Sequence, residues 1–379
     1  MNSLALYIHI PWCIKKCPYC DFNSHAVSGD TPEDQYIETL LKDLSSDLSL
    51  LKSPRTVSSI FIGGGTPSLF SASSFDKLLT GIAKLIPLNE HLEITLEANP
   101  GTFESQKFAD YRAIGINRLS IGIQSFNNTH LKKLGRVHSA KEALAAVEIA
   151  HKIGFDNFNL DLMFGLPGQS NQEMLNDIQT AIKLAPSHIS FYQLTLEPNT
   201  YFHKFPPKLP ESDLIYTGQQ QAQQALADAG FIQYEISAYA KNDAKCQHNI
   251  NYWQFGDYLG IGAGAHGKLT LSQPDNIMRT VKHKKPEQYL QDNHALLTPI
   301  SKTDLPLEYL MNQLRLKSGF NLKHFQKVTG LEPDALQPAL SNCLEQGLLK
   351  KQNDQYYCSD KGWDFLDHIL EKFMIYSPL

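Results

Sequence analysis

The sequence predicts an α/β fold: a partial (β/α)6 barrel with helices outside, followed by a smaller winged-helix-like α+β unit. Three observations carry this expectation. Short apolar runs alternate with helical patterns through the first half of the chain; four of the strand-like runs have one apolar and one polar side; and the chain closes with helices followed by a hairpin pattern. Alternating strand and helix argues for parallel strands joined by right-handed crossovers.

The predicted strands run Leu4–Ile10, Ser58–Ile62, Leu92–Glu97, Arg118–Ile123, Asn157–Met163 and His188–Leu196, with helical periodicity at Pro32–Leu51, Ser139–Ile153 and Gln172–Leu184. Tyr7 and His9 oppose Leu6, Ile8 and Ile10, and Thr95 and Glu97 oppose Ile94 and Leu96. Ser120, Gly122 and Gln124 oppose Leu119, Ile121 and Ile123; Asn157, Asn159 and Asp161 oppose Phe158, Leu160 and Leu162. Side chains alternate across a strand, so each strand has one face for covering helices and one that needs polar company. A doubly wound sheet buried on both sides would read as continuous apolar runs. An open barrel with a polar, ligand-filled interior fits better.

These patterns divide the chain into a barrel over 1–205, a flanking region over 206–297 and a terminal unit over 298–379. The flanking region holds a helical stretch, Glu211–Ala229, and then irregular aromatic sequence. The terminal unit shows helical patterns at Leu307–Lys317, Leu322–Thr329 and Pro333–Gln346, then a hairpin, Leu348–Lys351 with Gln355–Cys358, about Asn353-Asp354. It carries 9 Lys and Arg against 10 Asp and Glu. That balance is a poor surface for DNA and favours packing or partner docking.

The whole chain of 379 residues has 42% hydrophobic and 19% charged residues and a formal charge of -5, with no block of like charge. It offers no electrostatic footprint for a phosphate backbone, so nucleic acid is not the expected partner. No apolar run spans a bilayer and no leader precedes the first strand; the expectation is a cytoplasmic protein, not integral to the membrane.

Cys13, Cys17 and Cys20 crowd together directly after the first strand, whereas Cys246, Cys343 and Cys358 lie apart and read as buried, inert thiols. Three thiolates in one loop can hold a [4Fe-4S] cluster and leave one iron without a protein ligand. A structural zinc site completed by His9, Asp21 or His25 is the alternative, although such sites more often use two separated pairs. Gly63, Gly64, Gly65 and Thr66 follow the second strand, where backbone can approach a ligand closely. Glu97, Gln124 and Asp161 share that end of the barrel by parity, and Arg136 can reach it from a later loop.

CxxxCxxC after the first strand of such a barrel resembles the radical-SAM superfamily signature. The segments YIHIPWCIKKCPYCDFNSH, IFIGGGTPS, LEANPGT, SIGIQSF, LGRVHS, NLDLMFGLPGQ and QLTLEPNT resemble the oxygen-independent coproporphyrinogen III oxidase group, closest to its oxidase-like branch of haem chaperones. The resemblance implies that Cys13, Cys17 and Cys20 ligate the cluster. It also implies that Tyr7, Tyr19, Gly64, Gly65, Thr66, Glu97, Gln124, Arg136 and Asp161 contact S-adenosylmethionine. Gln124, Arg136 and Asp161 match a second such ligand in the oxidases more than the first, leaving one or two molecules open.

True oxidases have a further cysteine where this chain has Phe22, and an amino-terminal extension that it lacks. The segment His248-Asn249-Ile250-Asn251-Tyr252-Trp253 resembles an HNxxYW motif linked to haem binding in the chaperone branch, which makes His248 the expected haem residue. An imidazole is a common axial ligand, and Tyr252 and Trp253 are suited to stack on a porphyrin. His266, in GIGAGAHGK, is a second candidate.

The resemblance therefore implies a haem chaperone carrying cluster, S-adenosylmethionine and haem, which hands haem to respiratory membrane proteins and associates with the membrane peripherally while doing so. The alternative is a radical enzyme that oxidatively decarboxylates coproporphyrinogen III. Radical modification of RNA is disfavoured by the acidic balance. No catalytic residue and no electron donor are assigned.

Overall fold

The computed structural model describes residues 3–27, 29–102, 105–271 and 276–374. Its first half is a run of strand–helix units: β1 (Ser3–Ile10), α1 (Glu33–Leu48), β2 (Thr56–Gly64), α2 (Ala72–Leu85), β3 (Leu88–Ala98), α3 (Ser105–Ala113), β4 (Arg118–Gln124), α4 (Asn128–Lys133), α5 (Ala140–Ile153), β5 (Phe158–Phe164), α6 (Asn171–Lys183) and β6 (His188–Gln193). Strands β1 to β6 lie side by side in sequence order and all pair in parallel.

Their alternation decides the layers. Leu6, Ile8, Ile60, Ile62, Ile94, Leu96, Leu119, Ile121, Leu160 and Ile189 are buried in one core with Leu40, Leu44, Phe75, Leu78, Val147 and Ile178 of the helices. The opposite faces bring Tyr7, Glu97, Ser120, Asp161 and Tyr192 into the barrel. Local signals fix the helix ends: Ser139 with Glu142, and Ser170 with Glu173, form reciprocal capping boxes at α5 and α6.

The flanking region departs from its irregular reading. After α7 (Tyr201–Lys204) and α8 (Ser212–Asp228) it contributes β7 (Ile232–Glu235), β8 (Ala238–Ala240), α9 (Gln247–Trp253), β9 (Tyr258–Ile261), β10 (His266–Thr270), β11 (Ile277–Val281), α10 (Pro286–Gln291) and β12 (Leu296–Pro299). These strands extend both edges of the same sheet, giving the order β12-β11-β10-β9-β1-β2-β3-β4-β5-β6-β8-β7. Strand β9 returns beside β1 in parallel, and the others pair antiparallel. At three to five residues each, they are too short for a period of two to show in the sequence.

Behind this edge, the Lys282 ammonium is buried with the carboxylates of Asp43 and, at 2.8 Å, Asp47 of α1. Helices α11 (Leu305–Gln313), α12 (Leu322–Thr329) and α13 (Ala339–Glu345) then precede the hairpin β13 (Leu349–Gln352) and β14 (Gln355–Cys358), the order the sequence predicts. They enclose a second core around Tyr309, Phe320, Phe325 and Leu340, which also takes in Phe255 and Ile277 from the flanking region.

Candidate cofactor site

The chain leaves β1 through Pro11 and Trp12, whose indole packs edge-on against Tyr36 at 4.8 Å and over Phe70. The loop from Cys13 to Ser24 is closed at its base by a short parallel pairing of Trp12 and Cys13 with His25 and Ala26. On its other side the Gly63–Thr66 turn lies against it: the N–H groups of Gly65 and Thr66 donate to the carbonyls of Ile10 and Trp12, both at 2.7 Å. A β-carbon on Gly65 would stand 2.5 Å from the Trp12 oxygen, so the approach requires glycine. Thus the glycine turn locks the base of the cysteine loop.

Cys13, Cys17 and Cys20 line one cavity of about 420 Å³ at the carboxyl end of the strands, together with Tyr19, Gly64, Gly65, Thr66, Glu97, Gln124, Arg136 and Asp161. That is where a barrel builds its sites. Tyr7 is the exception among the expected contacts, since its hydroxyl is engaged with His9 Nδ1 at 2.8 Å and it does not line the cavity. His9 Nε2 faces the carbonyl of Asn23 at 2.8 Å, so this nitrogen carries the proton and Tyr7 donates to the other. Burial pushes His9 down to about 4, which keeps it neutral.

Two acids face the cavity. Burial, and after it the neighbouring Asp161, push Glu97 up to about 8, against the pull of the Gly64 N–H that donates to its Oε2 at 3.0 Å. Burial likewise raises Asp161, although its oxygens accept from Ser120 Oγ at 2.9 Å and Asn159 Nδ2 at 2.8 Å. At both acids burial outweighs the stabilising partners, which for Asp161 include the charge of Arg118, and so favours the neutral form until a ligand supplies donors.

Arg136 reaches in from the loop after α4, donating to the Gly122 carbonyl at 2.9 Å and to Asn99 Oδ1, with its other nitrogen 3.7 Å from Cys17 Sγ. Gln124 ends β4 with a left-handed φ of 68° and accepts from the Tyr192 hydroxyl at 2.8 Å.

This donor set fits an iron–sulfur cluster. All three sulfurs face one cavity, with the Arg136 guanidinium beside Cys17 and the Ser24 hydroxyl 3.8 Å from Cys20. Among the described residues no three His, Cys, Asp or Glu side chains group tightly enough for a single metal ion. A cubic cluster instead binds each thiolate to a different iron.

Sequence reasoning did not single out Asn99, Ser24 or Tyr192. Asn99 and Tyr192 carry a signal, because Asn99 follows Glu97 by two, just past the end of β3, and Tyr192 follows Ser190 by two on β6. Ser24 lies on a loop, where no periodicity marks it.

His248 is placed elsewhere. It lies on α9, which closes the opposite end of the barrel, and is 1% exposed. Its Nδ1 is 3.1 Å from Ser59 Oγ and its Nε2 is 2.7 Å from the Tyr252 hydroxyl, so both ring nitrogens have partners and neither is open to an axial ligand in this arrangement. Burial, and then the charge of Arg118, push it down to about 3. Tyr252 packs edge-on with His248 and Tyr258, and Arg315 lies over Trp253; both rings are half-buried and line a small pocket with Phe255 and Tyr258. Glu93 holds the start of α9, accepting the N–H groups of Gln247 and His248 at 3.2 Å. His266 is exposed, on β10. Of the distant cysteines, Cys246 and Cys343 are buried and Cys358 half-buried. No helix among the described residues is long and apolar enough to cross a membrane.

Comparison with known proteins identifies the family and the fold. Residues 7–181 match the Radical SAM superfamily and residues 300–365 the HemN C-terminal domain. A heme chaperone, HemW, from Escherichia coli is 48% identical over 99% of both chains, and HemW from Bacillus subtilis is 34% identical over 94% of this chain and 96% of its own. The solved structure of the Escherichia coli coproporphyrinogen III oxidase HemN, a radical SAM enzyme, superposes with a TM-score of 0.82 over 99% of this chain and 91% of its own, at 22% identity, and so shares the fold. With full-length identity of this order to HemW, the chain belongs to the HemW family of the radical-SAM superfamily.

Proposed function

We propose that this protein is a haem chaperone that carries a [4Fe-4S] cluster on Cys13, Cys17 and Cys20, binds S-adenosylmethionine beside it, and delivers haem to respiratory membrane proteins. The full-length identity to proteins named as heme chaperones carries the reading. The cavity supports its cofactor half: three thiols, two buried acids and Arg136 converge on a space of about 420 Å³, within the range of small-molecule sites. When bound, a cluster with an open iron supplies one-electron reduction at that position. The residues around it position the ligand: Glu97 and Asp161 accept from its donors, and Arg136 neutralises charge near Cys17.

Haem at His248 requires the Tyr252 bond to break and α9 to loosen, so uptake is coupled to a local opening of the barrel floor. Phe22, exposed at the cavity mouth, stands where the oxidases have a further cysteine and favours transport over decarboxylation.

A paired assay tests this. Anaerobically reconstituted protein receives coproporphyrinogen III, reductant and S-adenosylmethionine and is scored for protoporphyrinogen; in parallel, haem is titrated into wild type, His248→Ala and His266→Ala. The reading expects no turnover and weakened haem binding in His248→Ala. Sustained turnover overturns the chaperone reading, and unchanged affinity in His248→Ala removes that residue from the haem site.

A further inference from the structure

The return limb of the cysteine loop is fastened by one side chain. Asn23 Nδ2 donates to the carbonyls of Ala263 and Lys284, both at 2.8 Å, while its own carbonyl accepts from His9 Nε2 at 2.8 Å. Ala263 sits in the glycine-rich turn between β9 and β10. There Gly264 adopts a φ of +79°, and a β-carbon on it would stand 2.3 Å from Asn23 Nδ2. The turn is therefore shaped to the amide that it receives. It is tied in again from behind: the Tyr36 hydroxyl donates to the His9 carbonyl and accepts the Ala263 N–H, each at 2.8 Å.

What this fixes is the next residue. Ser24 is 5% exposed and lines the cavity, with its hydroxyl 3.8 Å from Cys20 Sγ and also acting on Cys13. Against a thiolate the hydroxyl can only donate. Hydrogen bonds to the sulfur ligands of a cluster are among the factors that set its reduction potential, because reduction adds a negative charge that the donors stabilise.

We propose that Asn23 is a positioning residue that holds the Ser24 hydroxyl against the cysteine sulfurs and thereby raises the reduction potential of the cluster. The inference rests on the reading that Cys13, Cys17 and Cys20 hold a cluster, and it assigns to the GIGAGA turn the task of anchoring the loop that carries them.

The test is a one-electron spectroelectrochemical titration of anaerobically reconstituted full-length wild type, Asn23→Ala, Ser24→Ala, Ser24→Thr and the Asn23→Ala/Ser24→Ala double variant, with iron and sulfide measured on each. One hydrogen bond of about 0.5–1.5 kcal/mol corresponds to a roughly two- to tenfold change in the ratio of reduced to oxidised cluster at a fixed applied potential. Both alanine variants are expected to keep their iron and to lower that ratio by such a factor. The double variant should fall no further than the single ones, and Ser24→Thr should stay at the wild-type value.

Unchanged potentials in Ser24→Ala overturn the inference. So does additivity in the double variant, or a loss of iron in Asn23→Ala with the remaining clusters at the wild-type potential, which is what a purely structural role gives. Wild type that takes up no cluster fails at the underlying reading instead, and shows it by the absence of iron and sulfide.

Discussion

Glu97→Gln is the sharpest probe of the cavity. The carboxyl is fully buried, and burial with the adjacent Asp161 pushes it up to about 8. At pH 7 only about one Glu97 in ten is ionised, and at pH 9 about nine in ten. A ligand that donates to the carboxylate selects the ionised form, so at pH 7 binding is weakened by about 1.4 kcal/mol, the work of deprotonation one unit below the pKa. The sign follows from the raised value: affinity climbs with pH and levels off above 8. Glutamine keeps the volume of the side chain and removes the titration. The ratio of wild-type to variant affinity for S-adenosylmethionine should therefore rise about tenfold between pH 7 and pH 9. Taking the ratio cancels the ligand's own titration. Anaerobic equilibrium dialysis at pH 7, 8 and 9 measures it. A ratio constant across that interval means that Glu97 is either already ionised or not in contact with the ligand, and refutes the reasoning.

Three further outcomes follow from the geometry. Gly65→Ala drives a methyl into the Trp12 carbonyl and should cost about 1–3 kcal/mol in urea unfolding, with a reduced iron content after reconstitution because the cysteine loop is displaced at its base. Lys282→Met leaves Asp43 and Asp47 buried without their cation and should destabilise the protein by about 3–5 kcal/mol in the same assay; a loss below about 1 kcal/mol would show that the site is hydrated. Tyr252→Phe releases His248 Nε2 from its hydrogen bond, at a cost of about 0.5–1.5 kcal/mol in stability; if His248 ligates haem, titration should show tighter haem binding than in wild type, and weaker binding would count against that role.

The barrel was legible because β1, β3, β4 and β5 alternate apolar with polar residues, and the same parity aimed Glu97, Gln124 and Asp161 at one cavity. Arg136 lay beyond parity: a loop arginine has no periodicity, and only the folded chain brings it against Gly122, Asn99 and Cys17. Tyr7 differs from Arg136 in lying on a strand. Its strand face was read correctly, but whether an inward hydroxyl meets a ligand or a neighbouring histidine depends on depth along the barrel axis, which alternation does not encode. The burial of His248 was illegible for a similar reason, since a histidine followed by aromatic residues reads alike whether it faces solvent or seals a barrel. The sheet edges were lost to strand length, and the Asn23 anchor to the distance along the chain to its partners, each more than two hundred residues away from it.

The position of α9 has a kinetic consequence. It stoppers the amino-terminal end of the barrel, with Glu93 fastened to its first turn, while the cysteines border the opposite mouth. On the proposed reading, a nucleoside that enters at the mouth and a flat macrocycle that engages the stopper from outside would not queue for one doorway. Loading in either order is then expected, with any release signal carried through the barrel wall and the polar side chains packed within it.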